Sequence, residues 1–135
     1  MTWIYWVKAY GLTFLVFLAV DFLWLGILAK RLYQQQLGHL FIASVNWPAA
    51  FLMFMIFVIG MMVFVIHPAV KSGAVWQAVW MGALYGLVTY ATFDLTNLAL
   101  VKDWPIPIVV VDILWGIVLS AIVSTAGYGI ARWLS

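Results

Sequence analysis

Cysteine and glutamate are both absent from the 135 residues. The first absence excludes disulfides, thiolate nucleophiles and thiolate metal sites, though it assigns no redox compartment. The second leaves aspartate as the sole acidic side chain, at Asp21, Asp94, Asp103 and Asp112. Charge is scarce in general: charged residues make up 7% of the chain, against about 25% in soluble domains. The net +2 is six basic against four acidic residues, and the basic ones form no run, so a nucleic-acid partner is not expected. Also missing are His-Glu-x-x-His, a P-loop, Gly-x-Ser-x-Gly and a dinucleotide fingerprint. No Asp-Asp-x-x-Asp cluster for diphosphate-bound magnesium occurs either. No motif names a cofactor or a reaction.

What the chain does have is apolar length. With 68% hydrophobic residues and a mean hydropathy of +1.16, it reads as an all-α integral membrane protein. One domain, residues 1–135, is expected, built as a four-helix transmembrane bundle. The predicted spans are about 10–29, 48–67, 75–100 and 106–132. Trp3, Tyr5 and Trp6 precede the first at interfacial depth and Lys30-Arg31 stops it. No Ala-x-Ala-like site ends the early apolar stretch, which reads as an uncleaved first span and not a signal peptide. Asn46-Trp47-Pro48 opens the second span and His67-Pro68 closes it. Lys102-Asp103 closes the third, Pro105 and Pro107 open the fourth, and Arg132-Trp133 ends it. Each span is far longer than a barrel strand and lacks two-residue alternation, so only helices fit.

The loop from Lys30 to Val45 is the longest. Leu32, Leu37, Leu40 and Phe41 recur at near-helical spacing against Lys30, Arg31 and Gln34 to Gln36. An interfacial amphipathic helix broken at Gly38 and a plain polar connector are both consistent with that pattern. Lys8, Lys71 and Arg132 fall on the face holding both termini, here side A; Lys30, Arg31 and Lys102 fall on the opposite face, side B. Three against three leaves orientation undecided.

Three aspartates interrupt the spans, where a carboxylate is costly. Asp21 precedes Lys30 by nine residues, about 13 Å at helical rise; Asp94 precedes Lys102 by eight, about 12 Å; Asp112 follows Pro105 by seven, about 10 Å. All three are therefore expected at nearly one level in the side-B half of the membrane, which scattered structural acids would not share. Helical rows agree. Ala78, Gly82, Gly86, Tyr90 and Asp94 lie at successive i+4 positions, as do Asp112, Gly116, Ser120, Ser124 and Tyr128. Small residues let membrane helices approach closely, so antiparallel packing along these rows would bring Asp94 beside Asp112. On the bland alternative the rows, including Gly82-x-x-x-Gly86, are packing surface alone.

Asp21-Phe-Leu-Trp24 echoes Asp112-Ile-Leu-Trp115. Among nine tryptophans the match could be chance, or it could record a two-helix duplication of the kind transporters show. Asp and Trp at i, i+3 share a helix face, so each indole could seal a pocket or donate to a carboxyl. Three ionised aspartates would cost about 8–10 kcal/mol on an insertion scale. With no cation in the spans, the routes out are protonation, protons shared between acids, water, a hard metal ion, or Lys102 reaching inward. Thr96 and Asn97 add hydrogen-bonding groups beside Asp94. His39 on side B is a minor acid–base or ligand candidate, and His67 reads as a side-A boundary residue. Tyr33, Tyr85 and Tyr90 read as packing or interfacial groups. The Met- and Phe-rich run Met53 to Phe64 reads as lipid-facing or oligomer surface.

The stretches Val20-Asp21-Phe-Leu-Trp24-Leu-Gly26, Gln36-Leu-Gly38-His39, Tyr90-Ala-Thr-Phe-Asp94-Leu-Thr96-Asn97-Leu and Val111-Asp112-Ile-Leu-Trp115-Gly116 resemble a bacterial family of small membrane proteins, domain of unknown function 2177. Spacing and length are similar over nearly the whole chain. The resemblance implies four helices in a bacterial inner membrane. Members of that family often accompany lipid-modifying enzymes of the cyclopropane-synthase type, which leans toward lipid metabolism. It transfers no catalytic role to any residue.

Three functions compete. In the first, the protein binds or modifies a membrane lipid or another hydrophobic molecule. Asp94 and Asp112 would be the acid–base pair with Asp21 completing the site. Asn97 would orient a polar group, Trp24 and Trp115 would line an apolar cavity, Tyr33 and His39 would cover its mouth, and Thr96 and Tyr90 would be further substrate-binding residues. The second, ranked below, is a non-catalytic subunit or assembly factor, a homo-oligomer or partner in a membrane complex. The third is a proton-coupled exporter similar to the small multidrug transporters.

Overall fold

The computed structural model describes residues 2–40 and 45–135. Among them the chain is α-helical with no strand. The elements are α1 (Trp3–Leu23), α2 (Lys30–Leu37), α3 (Trp47–Met61), α4 (His67–Ser72), α5 (Val75–Leu100) and α6 (Ile106–Leu134). A π-helical segment, Trp24–Leu28, extends α1, and another, Met62–Ile66, joins α3 to α4. Three of the resulting helices, Trp3–Leu28, Trp47–Ser72 and Ile106–Leu134, are long and apolar enough to cross a membrane. Helix α5 is as long, at 26 residues, but Gln77, Thr89, Thr92, Asp94, Thr96 and Asn97 make it more polar.

Local chemistry sets the ends. The Thr2 side chain accepts from the Tyr5 N–H and that of Asn46 from the Ala49 N–H, each satisfying an otherwise unpaired first-turn donor. Pro48 sits in the first turn of α3, where its missing N–H costs nothing. Pro68 does not end the second long helix as expected. The π segment before it carries the His67 N–H to the Met62 carbonyl, and the wider turn absorbs the bond that proline cannot make. The stop comes at Gly73, left-handed at φ 73°, whose N–H reaches the Ala69 and Val70 carbonyls.

Helices α5 and α6 make the most extensive contact, followed by α1 with α6. The small-residue rows explain the first. A methyl group on Gly86 would run into the Gly116 carbonyl, and one on Gly82 would lie 2.7 Å from Ser124 Cβ and 2.8 Å from the Ser120 carbonyl. Backbone contact at this range needs glycine on one side. Phe17, Val58, Met61, Ile66, Leu119 and Val123 fill the core between the other helices. Tyrosines tie the helices together through backbone carbonyls: Tyr5 to Ala131 at 2.5 Å, Tyr10 to Met55 at 3.2 Å and Tyr85 to Phe57 at 2.7 Å.

The first half of the long loop is helical. Leu37 is buried and Tyr33 half-buried, while Lys30, Arg31, Gln34 and Gln35 are exposed. Gly38 ends α2 and begins a 3₁₀ turn, Gly38–Leu40. Phe41, the last member of the apolar pattern, lies outside the described residues.

Candidate functional site

The three aspartates of the long helices are buried, with Asp94 at 0% exposure. Each comes from a different helix: Asp21 from α1, Asp94 from α5, Asp112 from α6. Antiparallel packing of the small-residue rows places Asp94 within hydrogen-bonding reach of Asp112. Asp21 lies close enough to Asp112 for the two to repel when both are ionised. Neither Asp94 oxygen has a donor among the described residues. A carboxyl facing a carboxyl becomes a hydrogen bond only when one of them carries a proton.

The other two acids have donors. The Tyr33 hydroxyl donates to Asp112 Oδ1 at 2.6 Å, and Trp115 Nε1 donates to Asp21 Oδ1 at 3.4 Å. Trp24 Nε1 points at the Tyr33 oxygen, 3.4 Å away. The Trp24 and Trp115 indoles stack with centroids 4.3 Å apart and planes 7° from parallel. The two Asp-x-Leu-Trp turns are thus interlocked. Each tryptophan serves the acid of the opposite helix, Trp115 directly and Trp24 through Tyr33. Burial, with the Asp112 carboxyl beside it, holds the Tyr33 phenol above its ordinary range, so it stays protonated and remains a donor at any physiological pH.

Beside this constellation lies a cavity of about 780 Å³. Asp21, Asp112 and Trp115 stand on its wall with Tyr85, Thr89 and Tyr90. The remaining lining is hydrocarbon or aromatic, and Leu52, Met53, Ile56 and Phe93 are each more than half exposed on the outer surface. The opening is lateral because the second long helix approaches α5 at Met62–Ile66 and diverges from it toward Trp47. Tyr90 packs its ring on Gly116, where any side chain would collide with it.

The structure does not gather every residue singled out by the sequence. Asp94 and Trp24 stand behind the cavity wall and do not line it. Thr96 and His39 are exposed, and Asn97 is half-buried outside the cavity. Lys102 is also exposed, so it does not reach inward to the acids. No set of three His, Cys, Asp or Glu side chains among the described residues is arranged to hold a metal ion. Phe17, Leu25 and Thr89 line the cavity without any sequence signal having marked them, and Phe57 lines it although its run reads as lipid-facing or oligomer surface. Nothing in their local pattern separates them from ordinary core positions, since only the divergence of two helices makes them walls.

No curated protein and no solved structure matches the chain. Residues 6–129 match the family described as "Predicted membrane protein (DUF2177)". With that match running from Trp6 in α1 to Gly129 in α6, the chain belongs to this family of predicted membrane proteins of unknown function.

Proposed function

We propose that the protein is a four-span membrane protein of the bacterial inner membrane that binds or modifies a lipid or other hydrophobic small molecule. The observation carrying this reading is the laterally open cavity, apolar over most of its wall, with Asp21 and Asp112 at its inner end. Apolar clefts with a few convergent polar groups are the usual form of small-molecule sites. An ionisable side chain inside a membrane favours function over packing.

Helix α5 is the fourth span on this reading. It lies along α6, and its 26 residues reach about 39 Å. The Thr89 and Thr92 hydroxyls donate to the Tyr85 and Val88 carbonyls one turn back, so they present little polarity to lipid. Helix α2 lies at the interface, with its cationic face outward and Tyr33 inward.

The chemistry assigned to the site is proton handling. Asp112 faces the cavity, takes one hydrogen bond from Tyr33 and stands beside the enclosed Asp94. One proton held between this pair makes one group an acid and the other a base, the division of labour that paired carboxyls support. Asp21, oriented by Trp115, supplies a second acceptor at the cavity wall.

The test is mass spectrometry of hydrophobic molecules retained by the purified protein after detergent exchange, comparing wild type with Asp112→Asn and with a Thr89→Trp variant that fills the cavity. A molecule enriched in wild type and lost from both variants is expected. Equal profiles in all three, with the variants folded and membrane-inserted, would reject the reading.

A further inference from the structure

We infer that the ligand of this cavity is a long-chain amphiphile whose head group donates hydrogen bonds and bears no negative charge: an alcohol or an amine, and not a phosphate or carboxylate. The inference rests on the proposed function and deepens it by naming the head-group chemistry.

Two carboxyls dominate the polar end of the cavity. Asp21 and Asp112 are the ionisable carboxyls on its wall, and no Lys, Arg or His among the described residues lines it. Most donors that such a site would need for an anion are committed elsewhere, and the Tyr90 hydroxyl is the one on the wall without a partner among the described residues. The Tyr33 hydroxyl is bonded to Asp112, the Trp115 N–H to Asp21 and the Tyr85 hydroxyl to the Phe57 carbonyl. The Thr89 hydroxyl donates back to its own helix. Lys30, Arg31 and Lys102, the side-B cations, are exposed. A phosphate or carboxylate entering here would meet two acids, with no cation to offset the repulsion and few free N–H or O–H groups.

An alcohol or ammonium head reverses each effect. It brings the donor that the carboxyl oxygens lack, and an ammonium would also neutralise the charge of an ionised acid. Along the rest of the wall Leu25, Leu52, Met53, Phe54, Ile56 and Phe93 offer hydrocarbon contact out to the lateral opening. A chain can therefore stay in the bilayer while its head turns inward.

The experiment measures saturable binding of tritiated hexadecanol to the protein in phosphatidylcholine nanodiscs at pH 7, with empty discs subtracted. Hexadecylamine, palmitate and hexadecyl phosphate serve as competitors. Hexadecanol is expected to saturate and hexadecylamine to displace it. The two anionic amphiphiles should compete at least tenfold more weakly. In Asp112→Asn that discrimination should shrink several-fold. Palmitate or hexadecyl phosphate competing as well as the amine would overturn the inference while leaving a lipid site intact. Absence of saturable binding by any of the four would overturn both the inference and the function beneath it. The wild-type selectivity decides the question even where the variant fails to fold.

Discussion

Trp24 and Trp115 stack 4.3 Å apart, with ring planes 7° from parallel, although 91 residues separate them along the chain. Each sits one turn beyond an aspartate, Trp24 just past the end of α1 and Trp115 within α6. Each indole N–H is directed to a polar group of another helix. A stack between two such turns fixes the rotation of α1 against α6 and with it the positions of Asp21 and Asp112.

That stack should be measurable as a coupling. In a double-mutant cycle of Trp24→Phe and Trp115→Phe, read by thermal unfolding in detergent, an interaction energy of about 0.5–1.5 kcal/mol is expected. Coupling within error of zero would mean the two rings do not hold each other.

Glycine substitutions should divide sharply by position. Gly86→Ala drives a methyl into the Gly116 carbonyl and should destabilise by about 1–3 kcal/mol. At Gly129 nothing lies within 4 Å of where a methyl group would sit, so Gly129→Ala should be neutral or stabilising by up to about 1 kcal/mol. Equal effects on melting temperature would contradict the close α5–α6 approach.

Asp94 should carry a cost in stability that function requires. Its fully enclosed carboxyl has no partner among the described residues except the facing Asp112 carboxyl, and relief of a poorly satisfied buried polar group is worth about 1–3 kcal/mol. Asp94→Leu is expected to melt higher than wild type while losing the site's activity or binding, a trade found where a polar group is kept for use. A variant that is both less stable and fully active would remove Asp94 from the site.

Tyr33→Phe should loosen α2 from α6 by deleting the donor to Asp112. Faster hydrogen exchange across residues 30–37 is the expected readout. The pH dependence follows from sign. The folded phenol titrates above its ordinary value, so its contribution is fully present below pH about 10 and is lost only as pH rises further. Exchange in wild type should therefore be unaffected by Tyr33 ionisation between pH 6 and 9, after correction for intrinsic rates. A Tyr33-dependent opening inside that window would show the phenol to be exposed.

Topology can be read without first removing native thiols, because the chain has none. Single cysteines at Gly73 and Ser135 should label from one side of the membrane, and those at Gln35 and Asp103 from the other. Labelling of the Gly73 and Asp103 positions from the same side would show that α5 does not span. Labelling of each position from both sides would point to the dual-topology exporter.

Composition alone determined that this chain is helical and membrane-bound, because apolar runs of span length allow no other backbone arrangement that satisfies its own hydrogen bonds. The i+4 rows of glycine and serine also made the α5–α6 pairing legible, since the contact is written in residue size along one face. Helical rise gave a reason to expect Asp21, Asp94 and Asp112 at one level, and the fold brings Asp21 and Asp94 close to Asp112. The fold-back of α2 that delivers Tyr33 to Asp112 was not legible, because an eight-residue helix with one buried leucine has no periodic signal for its direction. Nor was the cavity, which exists because α3 leans away from α5 and leaves Phe57 and Thr89 facing space. Periodicity reports which face of a helix is buried, whereas the gap between two helices depends on every contact that sets their crossing angle.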